Sequence, residues 1–148
     1  MPTAEHPSLT LERRLKAPIE KVFKAWTSGE ALKRWFGPGG TLTVPVAEVD
    51  FRVGGRYRIV MREPSGEEHR VGGVYREIVP PTRIAFTWAW ESTPDRESMV
   101  TLDLQAEKGG TLLTLHHERF ADAPARDRHQ AGWSGTLDRL DHFLSTPR

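Results

Sequence analysis

The sequence predicts an α+β domain in which helices cover one face of an antiparallel sheet. From Thr43 to His117, short stretches of alternating apolar and polar residues are separated by glycine- and proline-rich turns, as in a β-meander. Two short segments with helical spacing precede this region, and a long one follows it from about Pro124 to Leu144. A chain of 148 residues can bury such a core without disulfide bonds.

The opening segment predicts a strand followed by a short helix. Residues 1–8 are expected to form a flexible tail and residues 9–146 a single domain. A mostly alternating pattern predicts a strand from Leu9 to Leu15, which ends before Pro18. Proline is favoured in the first turn of a helix, and apolar residues then recur at helical spacing. These residues are Ile19, Val22, Phe23 and Trp26.

A second short helix is predicted directly after the first. Thr27 and Glu30 have the spacing of a capping box, with the threonine as the helix cap. The glycine- and proline-rich segment Gly37-Pro38-Gly39-Gly40 then ends the helix. Its apolar face is formed by Leu32, Trp35 and Phe36.

The meander strands are predicted to have one apolar and one polar face. Residues of alternate positions share a face in a strand, so each strand contributes a set of inward-facing side chains. In the segment from Val71 to Val79, two alternations compete, and the inward parity stays open. The inward-facing sets elsewhere are Tyr57, Ile59 and Met61; Ile84, Phe86, Trp88 and Trp90; Val100, Leu102 and Leu104; and Leu113, Leu115 and His117.

The last helix is predicted to lie on the sheet, with Asp122 as its cap. Gly132 and Gly135 each cost about 1 kcal/mol of helix propensity relative to alanine. Either close packing of the helix on the sheet or space left for a ligand explains them. The apolar stripe consists of Trp133, Leu137, Leu140 and Leu144.

The composition argues against several classes of partner. Lysine and arginine number 21 and aspartate and glutamate 20, so no overall field favours nucleic acid or an anionic membrane. The N-terminal residues include no apolar run, so membrane insertion is not expected. The chain has no cysteine, which excludes thiolate chemistry and is typical of a reducing compartment. A cytoplasmic protein is therefore predicted.

The aromatic residues predict a cavity rather than a uniformly filled core. Indole rings are large and their N–H groups need partners, so several of them around one core leave space. We expect Trp35, Phe86, Trp88 and Trp133 to converge on this cavity, which would bind a small hydrophobic molecule. The full predicted lining is Trp35, Phe36, Tyr57, Ile59, Met61, Phe86, Trp88, Trp90, Leu102, Leu115, His117, Trp133 and Leu137.

His117 and Tyr57 are the candidates for catalysis. His117 shares the apolar parity of its strand and could serve as a general base in the cavity. A hydrogen-bonded core histidine is the favoured interpretation, because no orienting carboxylate can be assigned to it. No cofactor and no metal are predicted: His116 and His117 are neighbours on a strand and point to opposite faces.

The order of the motifs resembles the START-like (SRPBCC) superfamily, in the branch named after the activator of the heat-shock protein 90 ATPase. The resemblance covers nearly the whole chain. The residues that carry it are Ala17-Pro18, Arg34-Trp35-Phe36-Gly37-Pro38, Arg52-Val53-Gly54-Gly55, Glu77-Ile78-Val79-Pro80-Pro81, His117-Glu118 and Gly132-Trp133 with Leu137 and Leu140.

The resemblance implies a helix-grip fold, in which a curved antiparallel sheet grips the last helix over a cavity that opens near the two short helices. Relatives bind lipids, hormones, polyketides and other hydrophobic molecules, so a binding protein for an apolar, aromatic or polyketide-like ligand is expected. A minority catalyse cyclisation, dehydration or hydrolysis, which makes an enzyme with the same pocket the alternative. A chaperone-linked interaction module is a third hypothesis. In this family, the chaperone role belongs to larger eukaryotic proteins with an additional N-terminal domain.

Overall fold

A computed structural model of the chain describes residues 7–37, 39 and 41–145. The predicted tail up to residue 6, the helix-ending Pro38 and Gly40, and the predicted domain end at 146 lie outside the described residues. The elements are β1 (Leu9–Leu15), α1 (Ile19–Lys24), α2 (Gly29–Trp35), β2 (Thr43–Val49), β3 (Arg56–Arg62), β4 (Glu68–Val79), β5 (Arg83–Trp90), β6 (Ser98–Glu107), β7 (Gly110–Glu118) and α3 (Ala123–Ser145).

All seven strands form one curved antiparallel sheet in the order β1-β7-β6-β5-β4-β3-β2. The six strands from β2 to β7 are a continuous meander, and β1 returns to the far edge, where Leu11 pairs with Leu115. The core lies between the concave face and the helices, since the apolar stripe of α3 is buried there. The prediction of an α+β helix-grip architecture is confirmed.

The short helices begin and end close to the predicted positions, but the predicted cap of α2 is wrong by one residue. Ser28, not Thr27, caps the helix: its Oγ accepts a hydrogen bond of 3.1 Å from the backbone N–H of Ala31. The Thr27 hydroxyl instead donates to the carbonyl of Lys24 at the end of α1. A capping hydroxyl must reach the third residue of its helix, and Ser28 is the residue at that spacing.

The ambiguous parity of β4 results from a β-bulge. The pairing of β4 with β5 shifts register between Tyr75 and Glu77. Before the bulge, Val71 and Tyr75 are buried, whereas after it Ile78 packs against the core and Val79 is exposed. An extra residue reverses which positions face inward. Both competing alternations are therefore correct, each in one half of the strand.

The predicted cap and stripe of α3 are confirmed. Asp122 Oδ1 accepts a hydrogen bond of 2.8 Å from the backbone N–H of Ala125. On the sheet side, Arg13 of β1 donates to Ser134 Oγ at 2.9 Å, and Arg139 donates to the carbonyl of Gly39 at 2.8 Å. These contacts connect α3 to the sheet edge and to the segment between α2 and β2. No helix among the described residues is long and apolar enough to cross a membrane.

We expect Gly73→Ala in β4 to destabilise the fold. A Cβ atom at this position would lie 2.0 Å from the carbonyl oxygen of Thr87, a backbone atom on the neighbouring strand. The resulting strain should lower the free energy of unfolding by roughly 1–3 kcal/mol, measured by urea denaturation.

Gly39→Ala is the matched control, because nothing lies within 4 Å of a Cβ atom built there. Equal stability losses in the two variants would contradict the close approach of β4 and β5 at Gly73.

Candidate ligand-binding cavity

A cavity of about 530 Å³ lies between the concave face of the sheet and the first half of α3. Its inner wall is aromatic and apolar, and its rim carries charged and hydroxyl-bearing side chains. Gly132 lies on the wall, whereas Gly135 is not a lining residue. The apolar wall includes Phe36, Met61, Trp88, Trp90, Phe120 and Trp133, and the charged rim includes Glu63, His69, Arg96 and Arg128.

Five of the predicted lining residues lie on this wall: Phe36, Met61, Trp88, Trp90 and Trp133. The expectation that Trp35 and Phe86 converge there as well is wrong. Trp35 is fully buried in the helix layer, where its Nε1–H donates to the carbonyl of Ala25 at 3.1 Å. Its ring packs edge-to-face against Trp26 at 4.7 Å. Helical spacing correctly predicts that Trp35 points into the core. Its ring packs against Phe36, and Phe36 is the residue that lines the cavity.

The other predicted residues lie deeper in the core. Tyr57, Ile59 and Phe86 line a second void of about 20 Å³. Strand parity shows only that a side chain faces the helices. Some residues on this face of the sheet line the cavity, whereas others pack in the core beside it. The residues that line neither space are Leu102, Leu115, His117 and Leu137, all buried.

His117 is the centre of a hydrogen-bond chain that runs from α3 across three strands. Trp133 Nε1–H donates to His117 Nδ1 at 2.9 Å, and His117 Nε2 lies 2.7 Å from Ser98 Oγ. The Ser98 hydroxyl donates to the carbonyl of Trp88 at 3.1 Å. An indole can only donate, so Nδ1 must be the acceptor and the neutral ring carries its proton on Nε2. Both ring nitrogens are therefore occupied.

His129 of α3 accepts hydrogen bonds from two indoles on β5. Its Nε2 lies 2.9 Å from Trp90 Nε1 and 3.3 Å from Trp88 Nε1, while Nδ1 lies 2.8 Å from the carbonyl of Ala125. A carbonyl only accepts, so the proton is on Nδ1. His129 is not among the site residues predicted from the sequence. Its position four residues before Trp133 was the signal, since that spacing places both on one helix face.

Burial keeps both histidines neutral. Desolvation, with smaller contributions from His129 and His116, lowers the pKa of His117 to about 2. Desolvation also lowers the pKa of His129, although its bond to the Ala125 carbonyl opposes this shift. In addition, protonation would place a hydrogen on the nitrogen that each indole N–H already occupies. Neither ring can accept a proton without breaking a helix-to-sheet hydrogen bond.

Tyr57, the second candidate for catalysis, lies outside the large cavity. Its hydroxyl donates to the carbonyl of Thr87 at 2.5 Å, and burial raises its pKa well above the ordinary value. Tyr57 and His117 are therefore not placed together as an acid–base pair on the cavity wall.

Three side chains at the β3–β4 turn could ligate a metal ion. The ligating atoms of Glu63, Glu67 and His69 all lie within 4.8 Å of one another, and His69 Nε2 contacts Glu63 Oε2 at 2.5 Å. Glu63 and His69 also belong to the cavity rim. The sequence does not predict this cluster, because a hairpin register is needed to bring the three residues together.

This fold and cavity define a START-like protein, and a family model identifies the branch. The model of the activator of Hsp90 ATPase homolog 1-like proteins matches residues 16–145. The chain belongs to this family, as its sequence motifs indicated.

Solved structures of bacterial proteins share the fold over almost their full lengths. A Chromobacterium violaceum protein is 30% identical, with 95% of this chain and 99% of that chain covered and a TM-score of 0.84. An AHSA1 protein from Silicibacter pomeroyi is 32% identical, with 94% and 98% covered and a TM-score of 0.83. A Rhizobium leguminosarum protein is 35% identical, with 96% of both chains covered and a TM-score of 0.78. No curated protein matches the sequence.

We expect the stability of the protein to fall with pH because of His117. Its folded-state pKa lies below the value of about 6.5 for an unfolded histidine, so the unfolded state takes up a proton that the folded state does not. The stabilisation is fully present above about pH 6.5 and is lost progressively towards pH 2. Between pH 7 and pH 5, it contributes a loss of about 2 kcal/mol in the free energy of unfolding.

Urea denaturation of His117→Gln at both pH values measures this contribution. The decrease in the free energy of unfolding from pH 7 to pH 5 should be about 2 kcal/mol smaller in His117→Gln than in the wild-type protein. His116→Gln is the control, because His116 is half-buried on the opposite face of β7. An unchanged pH dependence in His117→Gln would contradict this prediction, because it would show that the folded protein takes up a proton at His117 as readily as the unfolded protein does.

Proposed function

We propose that this protein binds a small, largely apolar ligand with aromatic character in the cavity between the sheet and α3. The observation that carries the proposal is the cavity itself, whose volume of about 530 Å³ lies in the range of small-molecule sites. Five phenylalanine and tryptophan side chains, from β5, from α3 and from the segments after α2 and β7, share its wall: Phe36, Trp88, Trp90, Phe120 and Trp133.

The aromatic wall is held in place before any ligand binds. Trp88 and Trp90 are anchored to His129, and Trp133 is anchored to His117. The rings also pack on one another, with Trp88 5.0 Å from Trp133 and 5.5 Å from Trp90 between ring centroids. Such preorganisation favours binding, because fewer side chains lose freedom when the ligand enters.

The rim supports a ligand with one polar end. Arg128 is exposed at the opening, and Arg96 lies there with Asp122 at 3.8 Å. The hydroxyl-bearing residues Ser92, Thr93 and Thr136 also line this space. An apolar body against the tryptophans and a polar group at the rim would match this division, since buried polar groups need partners.

A binding role is favoured over the enzyme hypothesis. Acid–base catalysis needs a group that can exchange a proton with the substrate. The ring nitrogens of His117 and His129 are occupied and the Tyr57 hydroxyl is bonded away from the cavity, so an enzyme would have to use the rim pair of Glu63 and His69. A surface interaction module has less support, because among the described residues the exposed large apolar side chains are Val53 and Val79. The cytoplasmic location stays a prediction.

We expect Gly132→Leu to weaken ligand binding. The leucine side chain would enter the cavity from α3 and occupy space that an apolar ligand needs. With N-phenyl-1-naphthylamine as a fluorescent probe, the dissociation constant should rise roughly tenfold, which corresponds to about 1.4 kcal/mol. The melting temperature should change little, because leucine has a higher helix propensity than glycine.

Ala131→Leu provides the matched control, since this neighbouring residue is exposed and does not line the cavity. Unaltered affinity in Gly132→Leu would contradict binding at this site. A large loss of stability with affinity retained would instead support close packing as the reason for the glycine.

A further inference from the structure

A second, smaller space lies behind the ligand cavity. This inner chamber, of about 20 Å³, is lined by residues from α2, from the segments on either side of it and from the strands β3, β4 and β5. Phe36 and Trp88 line both the cavity and the inner chamber, with their ring centroids 6.3 Å apart. These two rings therefore form the partition between the two spaces.

Trp26 gives the inner chamber an unused hydrogen-bond donor. This residue lines the chamber and is 4% exposed. Among the described residues, its Nε1 is the buried side-chain nitrogen or oxygen that has no hydrogen-bond partner. The indoles of Trp35, Trp88, Trp90 and Trp133 all donate to a carbonyl or an imidazole. A buried donor without a partner is costly, so an orphan beside a void points to an acceptor that comes from outside the chain.

We propose that the ligand site continues past Phe36 and Trp88 into the inner chamber, where Trp26 Nε1–H donates to a hydrogen-bond acceptor on the ligand. This inference rests on the proposed function and adds a chemical class to it: an apolar, aromatic molecule whose buried end carries a carbonyl or ether oxygen. The chamber has room for about one water-sized group, which is the size of such an oxygen.

The partition can open at Phe36 more easily than at Trp88. Trp88 is fixed by the hydrogen bond of its indole to His129 and by contact with Trp90 and Trp133. Phe36 has no polar atom in its side chain, and it follows the last residue of α2 in an extended backbone conformation. Rotation of the Phe36 ring would connect the two spaces while the histidine-anchored wall stays in place.

The uncharged lining of the chamber favours a neutral hydrogen-bond acceptor on the ligand over a charged group. The other lining residues of the chamber carry no charge, and of the two lining tyrosines, Tyr57 and Tyr75, the first has its hydroxyl committed to the Thr87 carbonyl. A carboxylate there would lose its hydration without gaining a cationic partner, which is strongly unfavourable. A neutral carbonyl or ether oxygen needs only one donor, and Trp26 supplies it.

The test compares two probes that differ in one group, 4-acetylbiphenyl and 4-ethylbiphenyl. The wild-type protein should bind the ketone more tightly than the hydrocarbon. In Trp26→Phe, which keeps an aromatic ring but removes the N–H, the ketone should lose about three- to tenfold in affinity, the range expected for one hydrogen bond. The hydrocarbon should stay within about twofold. Trp35→Phe is the control, because it removes an indole that lines neither space.

The indole resonances of the wild-type protein give a second readout that does not depend on the folding of a variant. The Trp26 Nε1–H signal should move downfield with 4-acetylbiphenyl and not with 4-ethylbiphenyl. Equal losses for both probes in Trp26→Phe, or no loss for the ketone, would overturn the proposal. A Trp26 signal that stays unmoved by the ketone while the Trp88 and Trp90 signals shift would overturn it too. It would show a ligand confined to the outer cavity, with the chamber left to water.

Failure of the proposed function has a different signature. If neither probe binds the wild-type protein, both the cavity-binding proposal and the inner-chamber proposal are wrong. If both probes bind and only the Trp26 readouts fail, the inner-chamber proposal alone is wrong.

Discussion

The hydrogen bond from Trp133 to His117 is the interaction on which the site depends. It joins the middle of α3 to β7, and through Ser98 it continues to the backbone of β5. His129 makes a parallel connection from α3 to the indoles of Trp88 and Trp90. An indole needs an acceptor and a buried neutral imidazole offers one, so each histidine satisfies groups that would otherwise be costly to bury. The same contacts hold the helix at the separation from the sheet that leaves a cavity open.

This arrangement leaves His117 and His129 unable to exchange protons with a molecule in the cavity. Histidine is the usual acid–base residue near neutral pH, but here burial and two occupied ring nitrogens remove that capacity from His117. The imidazoles act instead as fixed acceptors that orient the tryptophans of the cavity wall. Residues that would exchange protons in an enzyme are thus used to build a rigid apolar surface, which is what a binding protein for a hydrophobic molecule requires.

The sequence predicts the fold more fully than the site. Alternation and helical spacing depend on local geometry, so they locate the seven strands, the three helices and the stripe of α3 from Trp133 to Leu144. The position of the cavity depends on how far each inward-facing residue lies along the sheet, which parity does not encode. Trp35, Tyr57 and Phe86 face inward as predicted and yet lie away from the cavity. The β4 bulge and the role of His129 also require tertiary contacts, because both follow from pairing between distant segments.

Nitrogen NMR of the imidazole rings tests the hydrogen bond from Trp133 to His117, since it reports which ring nitrogen carries the proton. We predict that His117 is protonated on Nε2 alone and His129 on Nδ1 alone at neutral pH, and that His117 remains neutral when the folded protein is brought to pH 5. A His117 ring protonated on Nδ1, or one that becomes charged near pH 6.5, would contradict this hydrogen bond, because the indole of Trp133 could not then donate to the histidine and this connection between α3 and β7 would be absent.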